Sequence, residues 1–263
     1  PMLRKAIEAS RLAGEAIRHY SNKIDRLTIQ NKDQNDFVSE VDRQAEQIVV
    51  RALQRAYPDH TFLGEEGGRQ GANSDYEWVI DPLDGTTNFL YGIPHFSVSV
   101  ALKHKGRLAV GVVYDPLRDE TFAAARGDGA TLNGRRLRVS ERPSLQNALL
   151  GTGVPFRIGQ NLDLYLQTLK VLVPETAGIR RAGSAALDLA YVAAGRFDGF
   201  FELGLKPWDI AAGELIVKEA GGVVVDARGG NESFDNGQVL ACSLKMLKPL
   251  MQTVVPAWGD AAK

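Results

Sequence analysis

Two patterns of secondary structure follow one another along this chain, and the change between them limits the possible folds. From Phe96 to Ala125, apolar residues alternate with small or polar ones, and short turn signals separate the runs. This pattern is typical of antiparallel strands that pair with their sequence neighbours. From about Leu149 onward, helix-like and strand-like segments alternate instead. We therefore predict two sheet-containing halves, residues 1–145 and 146–263, which pack tightly because no linker separates them.

Periodicity also predicts the individual elements. The predicted helices lie at 2–20, from 39 to just before Pro58, at 162–173, 185–194 and 210–220, and from 245 onward. The predicted strands lie at 27–29, 61–63, 96–102, 108–114, 120–125, around 179, and at 197–201, 223–225 and 239–241. Asn133-Gly134 is expected to turn a hairpin, and the polar segment 31–36 is expected to be a loop.

Composition narrows the class of protein. The 263 residues carry a net charge of -1, from 31 basic and 32 acidic side chains, which argues against a broadly basic surface and direct DNA binding. No apolar run is long enough for a membrane span. Cys242 is the only cysteine, so no internal disulfide can form. With Glu8 and Glu15 in the first segment we expect no secretory signal, one or two residues before Pro1, and a cytoplasmic protein.

The most informative motif is an apolar run, Trp78 to Ile80, that ends directly in Asp81, with Asp84 three residues later. Both carboxylates should lie at one edge of a sheet, where they offer hard oxygen ligands to Mg²⁺. Gly85 lets the backbone approach a ligand closely. A helix beginning at Thr86 would direct its first N–H groups to the same place. Cation ligands beside an anion-binding helix end indicate a metal-assisted phosphate site.

A purely structural interpretation stays open, in which Asp84 caps a helix and Asp81 stabilises a turn. Two further acids favour the metal-site interpretation over the structural one. Glu65 follows a predicted strand, and Asp209 precedes a predicted helix that it could also cap. Together the four acids could hold two or three ions. A hydrolase of the haloacid dehalogenase type would use Asp81 as a nucleophile, but it requires a second aspartate where this chain has Leu83.

Three motifs resemble the signatures of the inositol monophosphatase family. The first is DPLDGTTN at 81–88, the second is WDIAAG at 208–213 followed by EAGG at 219–222, and the third is GEE at 64–66. Their order and separations resemble the family over essentially the whole chain. The resemblance implies an α/β fold of the sugar-phosphatase (inositol monophosphatase/fructose bisphosphatase) type, a five-layer αβαβα sandwich. It also implies that the N-terminal half carries the antiparallel sheet and main metal motif, and that the C-terminal half closes the active site.

The resemblance further implies Mg²⁺-dependent hydrolysis of myo-inositol monophosphate to inositol and phosphate, by attack of a metal-activated water. The implied ligands of two or three Mg²⁺ ions are Glu65, Asp81, the carbonyl of Leu83, Asp84 and Asp209. The implied catalytic residues are Glu65 and Thr86, which would orient the water, and Asp84. Lithium inhibition and a homodimer are expected on the same basis.

Substrate contacts are also carried over by resemblance. The implied contacts are Asp84, Gly85, Thr86, Thr87, Gly183, Ser184, Ala185, Glu202 and Asp209. Glu202 has an alternative interpretation as a surface acid or a partner of Lys206. Lys32 and Asp42 match positions close to the metal site, or are ordinary charged residues.

Two alternatives remain. The same chemistry could act on a nucleotide 3′-phosphate or fructose bisphosphate. The stretch 180–191 resembles bacterial family members that are associated with transcription antitermination of ribosomal RNA operons, so the fold could instead be a binding module for that machinery. Arg180 and Arg181 would then be a candidate surface, unless they pair with acids in a dimer. His95 and Cys242 are expected to be structural.

Overall fold

A computed structural model describes residues 1–21, 23, 29–33, 36–155 and 161–262. The helices in these ranges are α1 Met2–Ser21, α2 Glu40–Ala56, α3 Thr86–Leu90, α4 Leu162–Leu172, α5 Ala185–Ala193, α6 Pro207–Glu219, α7 Ser233–Asn236 and α8 Leu244–Trp258. The strands are β1 Ile29–Asp33, β2 Asp36–Ser39, β3 Thr61–Gly64, β4 Gly68–Gly71, β5 Tyr76–Asp84, β6 Ser97–His104, β7 Arg107–Asp115, β8 Glu120–Ala125, β9 Gly129–Leu132, β10 Arg135–Arg136, β11 Leu149–Thr152, β12 Gly178–Arg180, β13 Gly199–Glu202, β14 Gly222–Val225 and β15 Val239–Ser243.

The larger sheet contains eight strands in the order β10-β9-β8-β7-β6-β5-β3-β4. Its pairs from β5 to β10 are antiparallel, which confirms the predicted meander, whereas β3 runs parallel to β5. The hairpin between β9 and β10 turns at Asn133-Gly134, where both residues have positive φ, 48° and 80°. This backbone is the one that favours Asn-Gly in two-residue hairpins, so the predicted turn is confirmed.

The smaller sheet has the order β12-β11-β13-β15-β14. Its strand β11 pairs in parallel with both β12 and β13, and β15 runs antiparallel to β13 and β14. The two sheets lie in sequence on either side of residue 145. The division into two halves at that point remains a proposal, because buried helices pack between the sheets and join them.

Three apolar cores define the layers. Helices α1 and α2 cover one face of the large sheet, α5 and α6 fill the space between the sheets, and α4 and α8 cover the outer face of the small sheet. This is the expected αβαβα sandwich. Helix α6 is apolar around most of its circumference, from Ile210 to Val217, because both sheets pack on it. No helix in the described ranges is long and apolar enough to cross a membrane.

Some predicted bounds were wrong. Residues 31–33, expected in a loop, belong to β1, and residues 27–28 lie outside the described ranges. Helix α6 begins at Pro207 rather than at Ile210, because the fixed φ of proline suits the first helical position. Strand β11 was missed, since a four-residue segment containing Gly151 gives almost no periodic signal. The other predicted helices and strands are confirmed to within a few residues.

Candidate active site

The carboxylates of Asp81, Asp84 and Asp209 lie together, with one oxygen of each within 4.8 Å of the others. In a regular strand, residues three apart point to opposite faces of the sheet. Here the pairing of β5 with β6 shifts between Asp81↔Ser99 and Asp84↔Ser97, so that one extra residue is inserted in β5. This β-bulge re-aims the chain and allows both aspartates to reach one site.

Asp81 is the most buried of these acids, at 2% exposure. Burial raises the pKa of Asp81 well above its ordinary value, and the charges of Glu65, Asp84 and Asp209 raise that pKa further. The Glu65 carboxyl also approaches Asp81 closely enough for a hydrogen bond. Carboxylates crowded in this way repel one another unless a proton or a cation lies between them. The donor set, oxygen atoms with low solvent access, fits a hard divalent cation.

The fold anchors one oxygen of Asp84. Its Oδ2 accepts a hydrogen bond of 2.6 Å from the Ser184 hydroxyl and one of 2.7 Å from the backbone N–H of Ala186. Ser184 is itself the N-cap of α5, where its side chain accepts from the backbone N–H of Leu187. Helix α3 is capped by Gly85 rather than by Asp84. The interpretation of Asp84 as a helix cap is therefore wrong, and the beginning of α5 holds Asp84 in the site.

Asp209 reaches the site from α6. It occupies the third position of that helix, and its Oδ2 accepts the backbone N–H of Lys206 at 2.8 Å. The carboxylate thus satisfies the backbone N–H of the N-cap residue, although Asp209 is not itself the N-cap residue that the sequence suggested. A capping role and a metal-ligand role are compatible, because a carboxylate has two oxygens.

Glu65 lies in the turn after β3, and a buried acid of α2 holds that turn. The Glu46 carboxylate accepts backbone N–H bonds from Glu66 at 2.8 Å and from Gly67 at 2.7 Å. A Cβ at Gly64 or Gly67 would collide with this carboxylate, so both glycines are required for the close approach. Glu46 was not among the site residues predicted from the sequence. The available signal was its position four residues after Asp42, on the same face of the helix.

The Thr86 hydroxyl has two acceptors within reach. It lies 2.8 Å from Oδ1 of Asp42 and 3.1 Å from the carbonyl of Leu83, and its single proton can serve only one of them at a time. Asp42 is 1% exposed, so it belongs to the interior of the site rather than to the solvated surface. The side chain of Lys32, the other residue noted with Asp42, lies outside the described part of the structure.

Gly85 forms the turn between the acids and α3. Its φ of +103° is unfavourable for any residue with a side chain, and a Cβ there would lie 3.0 Å from the carbonyl of His95. Asn88, in α3, donates to that same carbonyl at 2.7 Å and to the carbonyl of Ala182 at 2.8 Å. Thr87 is exposed at the edge of the cleft. The turn is therefore fixed from both halves of the chain.

The cleft brings together all the residues that were predicted as metal ligands, catalytic residues or substrate contacts. Its lining includes Glu65, Asp81, Leu83, Asp84, Gly85, Thr86, Thr87, Gly183, Ser184, Ala185, Glu202 and Asp209, with Thr152, Gly153, Arg181, Asp188 and Leu205 in addition. Arg181, which the alternative function made a candidate for a partner-binding surface, lies at the cleft. Asp188 was missed as a site residue, although it is the only acid in an otherwise apolar helix.

The two residues that were expected to be structural lie outside the cleft lining. The ring of His95 packs edge-on against Tyr191, with centroids 6.0 Å apart. Burial lowers the pKa of His95. Cys242 is fully buried in the core beneath α8, and burial raises the pKa of its thiol to about 12. It is a small core residue in its protonated form.

The αβαβα layers and the cleft of convergent carboxylates define a layered α/β protein whose site can hold a metal ion. The chain belongs to the inositol monophosphatase family, whose model matches residues 1–257. Membership of this family supports phosphatase activity.

Relatives agree with this placement. The chain is 57% identical over 261 residues to the Nus factor SuhB of Pseudomonas aeruginosa, covering 97% of this chain and 96% of that protein. Among solved structures, the extragenic suppressor protein SuhB of Bartonella henselae has a TM-score of 0.92 and 42% identity, covering 98% of both chains. The inositol monophosphatase (IMPase) TM1415 of Thermotoga maritima has a TM-score of 0.90 and 35% identity, covering 99% of both chains.

Proposed function

We propose that this protein is a Mg²⁺-dependent phosphomonoester hydrolase that converts myo-inositol monophosphate to inositol and phosphate. The observation that carries the proposal is the convergence of three carboxylates, 4.8 Å or less apart, beside a glycine turn in a chain of this family. We further propose that it is a cytoplasmic homodimer and that lithium inhibits it, as the family resemblance implies.

The residues that would hold two or three Mg²⁺ ions are Glu65, Asp81, the Leu83 carbonyl, Asp84 and Asp209. When bound, Mg²⁺ supplies Lewis-acid stabilisation of charge on the phosphate and a lowered pKa for water in the site. The raised pKa of Asp81 supports the proposal, because crowded carboxylates bind a cation more strongly than carboxylates that are well separated.

Thr86 and Glu65 would orient the attacking water. When the Thr86 hydroxyl donates to buried Asp42, its lone pairs face outward as acceptors for a water proton. Glu65 would accept the second proton of that water, and Glu46 holds the turn that carries Glu65. No side chain has to attack phosphorus, so no covalent enzyme intermediate is required.

The phosphate and the alcohol would occupy different parts of the cleft. The backbone N–H groups of Gly85 and Thr86 would donate to the phosphate oxygens. Ala185 and Glu202 would contact the alcohol. The Ser184 hydroxyl already donates to Asp84, which supports a role in holding the metal ligand more than a role in direct substrate recognition.

Phosphate release from a panel of substrates tests the proposal. The panel contains inositol 1-phosphate, glycerol 2-phosphate, a nucleotide 3′-phosphate and fructose bisphosphate, each assayed with Mg²⁺ and with EDTA. We expect a preference for inositol 1-phosphate, and a loss of at least about 100-fold in EDTA and in the Asp84→Asn variant. If the protein prefers another member of the panel, that compound becomes the assigned substrate. If no member releases phosphate in a Mg²⁺-dependent way, the proposal is refuted.

The relatives support a second candidate function. A protein 57% identical to this chain is named a Nus factor. We propose, as the alternative, that the chain binds the transcription antitermination machinery through exposed residues that include Arg180. The Asp84→Asn variant separates the two functions, because it should abolish hydrolysis and leave partner binding unchanged. Arg180→Glu should do the opposite, and unchanged binding in that variant would exclude this surface.

A further inference from the structure

Helix α5 carries one acidic residue among apolar ones, and that residue lies in the cleft. The helix reads AALDLAYVA, and its buried positions from Ala185 to Ala193 are all apolar except Asp188. Asp188 is 1% exposed, yet it lines the same cleft as Gly183 and Glu202. An acidic side chain is almost never buried to this extent unless it is paired.

Within the described residues, Oδ1 of Asp188 has no hydrogen-bond partner, although the atom is fully buried. The backbone N–H of Asp188 donates to the carbonyl of Ser184, as in a regular helix. The side chain of Asp188 is therefore not needed for the hydrogen bonds of helix α5. Leaving a buried acceptor unpaired is costly, and native proteins keep such groups mainly where they have a function. The same side chain lines the cleft, which indicates a carboxyl group kept for a ligand rather than for a structural partner.

The surroundings determine which chemistry suits this oxygen. Burial raises the pKa of Asp188 well above its ordinary value, and the charges of Glu202 and Asp84 raise it as well, whereas Arg181 lowers it. The acids make this wall electronegative, so it disfavours a second anionic group. A neutral hydroxyl can form a hydrogen bond with the Asp188 carboxyl group without adding charge, and several hydroxyls on one ring could serve Asp188 and Glu202 together.

We propose that Asp188 is a substrate-binding residue whose carboxyl group forms a hydrogen bond with a hydroxyl group of the alcohol, and that it selects polyhydroxylated alcohols over alcohols without such groups. This inference rests on the proposed phosphatase function and assigns the wall that recognises the leaving group. Asp188 does not belong to the group of converging carboxylates Asp81, Asp84 and Asp209, so we assign it to specificity rather than to metal binding.

The test compares two variants on two substrates. Asp188→Leu removes the acceptor at similar volume, and Asp188→Asn keeps a carbonyl acceptor. Inositol 1-phosphate carries hydroxyls, whereas phenyl phosphate carries none. Asp163→Leu, at an exposed position in the first turn of α4, controls for the same change in net charge.

We expect Asp188→Leu to lower kcat/KM for inositol 1-phosphate by about 3- to 100-fold, the range that covers one hydrogen bond to a neutral or to a charged carboxyl group. The change for phenyl phosphate should stay within about twofold, because that substrate makes no such bond. Asp188→Asn should restore most of the loss, and Asp163→Leu should behave as wild type. An equal loss on both substrates, or no change in their ratio, would overturn the proposal.

The failure of the proposed function would be recognised separately, because wild type would then hydrolyse neither substrate. In that case calorimetric titration of inositol 1-phosphate into wild type and Asp188→Leu decides the point. Weaker binding by the variant supports the role of Asp188, and equal or absent binding overturns it. A melting temperature of Asp188→Leu at or above that of wild type would show that the fold is intact, as expected when a buried unpaired acceptor is removed.

Discussion

Glu46 provides the sharpest test of how the site is built, because it touches the turn that carries Glu65 without belonging to the cleft lining. Its carboxylate is 4% exposed and accepts two backbone N–H bonds, from Glu66 and Gly67. Each charge-assisted bond contributes about 1.5–3 kcal/mol. In Glu46→Gln, one acceptor oxygen is replaced by an NH₂ group that faces an N–H donor. One bond is therefore lost and replaced by a donor–donor contact.

The expected result is weaker Mg²⁺ binding. Residues that orient metal ligands typically change metal affinity by about 10- to 100-fold when they are substituted. We therefore expect the Kd for Mg²⁺ of Glu46→Gln, measured by calorimetry, to rise within that range. At saturating Mg²⁺, kcat should fall only a few-fold, because the bound ion restores the position of the turn.

Glu219 offers a matched control. Its carboxylate also accepts two backbone N–H bonds, from Gly127 at 3.0 Å and Gly129 at 2.8 Å, but it holds a turn of the large sheet outside the cleft lining. Glu219→Gln should lower the melting temperature by less than Glu46→Gln, because Glu219 is only partly buried, and it should leave Mg²⁺ affinity unchanged. Equal Mg²⁺ affinity in wild type and Glu46→Gln would refute the argument that Glu46 positions Glu65.

Three further predictions concern the pH response and the two supports of the site. The Nε1–H of Trp78 donates to Nδ1 of His60 at 3.0 Å, so that ring must be neutral, and burial lowers the pKa of His60. As pH falls, His60 is therefore protonated in the unfolded chain before it is protonated in the folded protein, so stability should be full above the unfolded pKa of about 6.5 and fall as pH drops below it. Melting curves at pH 7.5 and 5.5 should show a smaller loss of stability in His60→Phe than in wild type. An equal loss in both proteins would contradict this prediction. Gly85→Ala forces a side chain into φ +103° against neighbouring backbone, so it should lower the free energy of unfolding by about 1–3 kcal/mol and greatly reduce activity. Urea unfolding measures the stability change, and an unchanged free energy of unfolding would exclude strain at this turn. Ser184→Ala removes both a helix cap and a hydrogen bond to Asp84, so we expect about 1–2 kcal/mol lower stability and weaker Mg²⁺ binding, whereas Ser184→Thr should retain part of both.

The sequence predicted those helices and turns whose signal lies within the segment itself. The helix from Met2 follows from its apolar periodicity, and the hairpin at Asn133-Gly134 follows from the backbone that these two residues favour. The apolar run that leads into Asp81 was visible for the same reason, although β5 continues through a bulge to Asp84. Glu65, Asp81, Asp84 and Asp209 were found because each stands next to a boundary of a helix or strand that is visible in the sequence.

The tertiary structure decided how these residues act together. Spacing alone would place Asp81 and Asp84 on opposite faces of a strand, and only the irregular pairing with β6 brings them to one site. Glu46 and Asp188 gave no motif of their own, because their roles depend on which loop or cleft a distant part of the chain places beside them. Residue type and local periodicity are written in the sequence, whereas burial and the choice of hydrogen-bond partner arise only when separate segments pack.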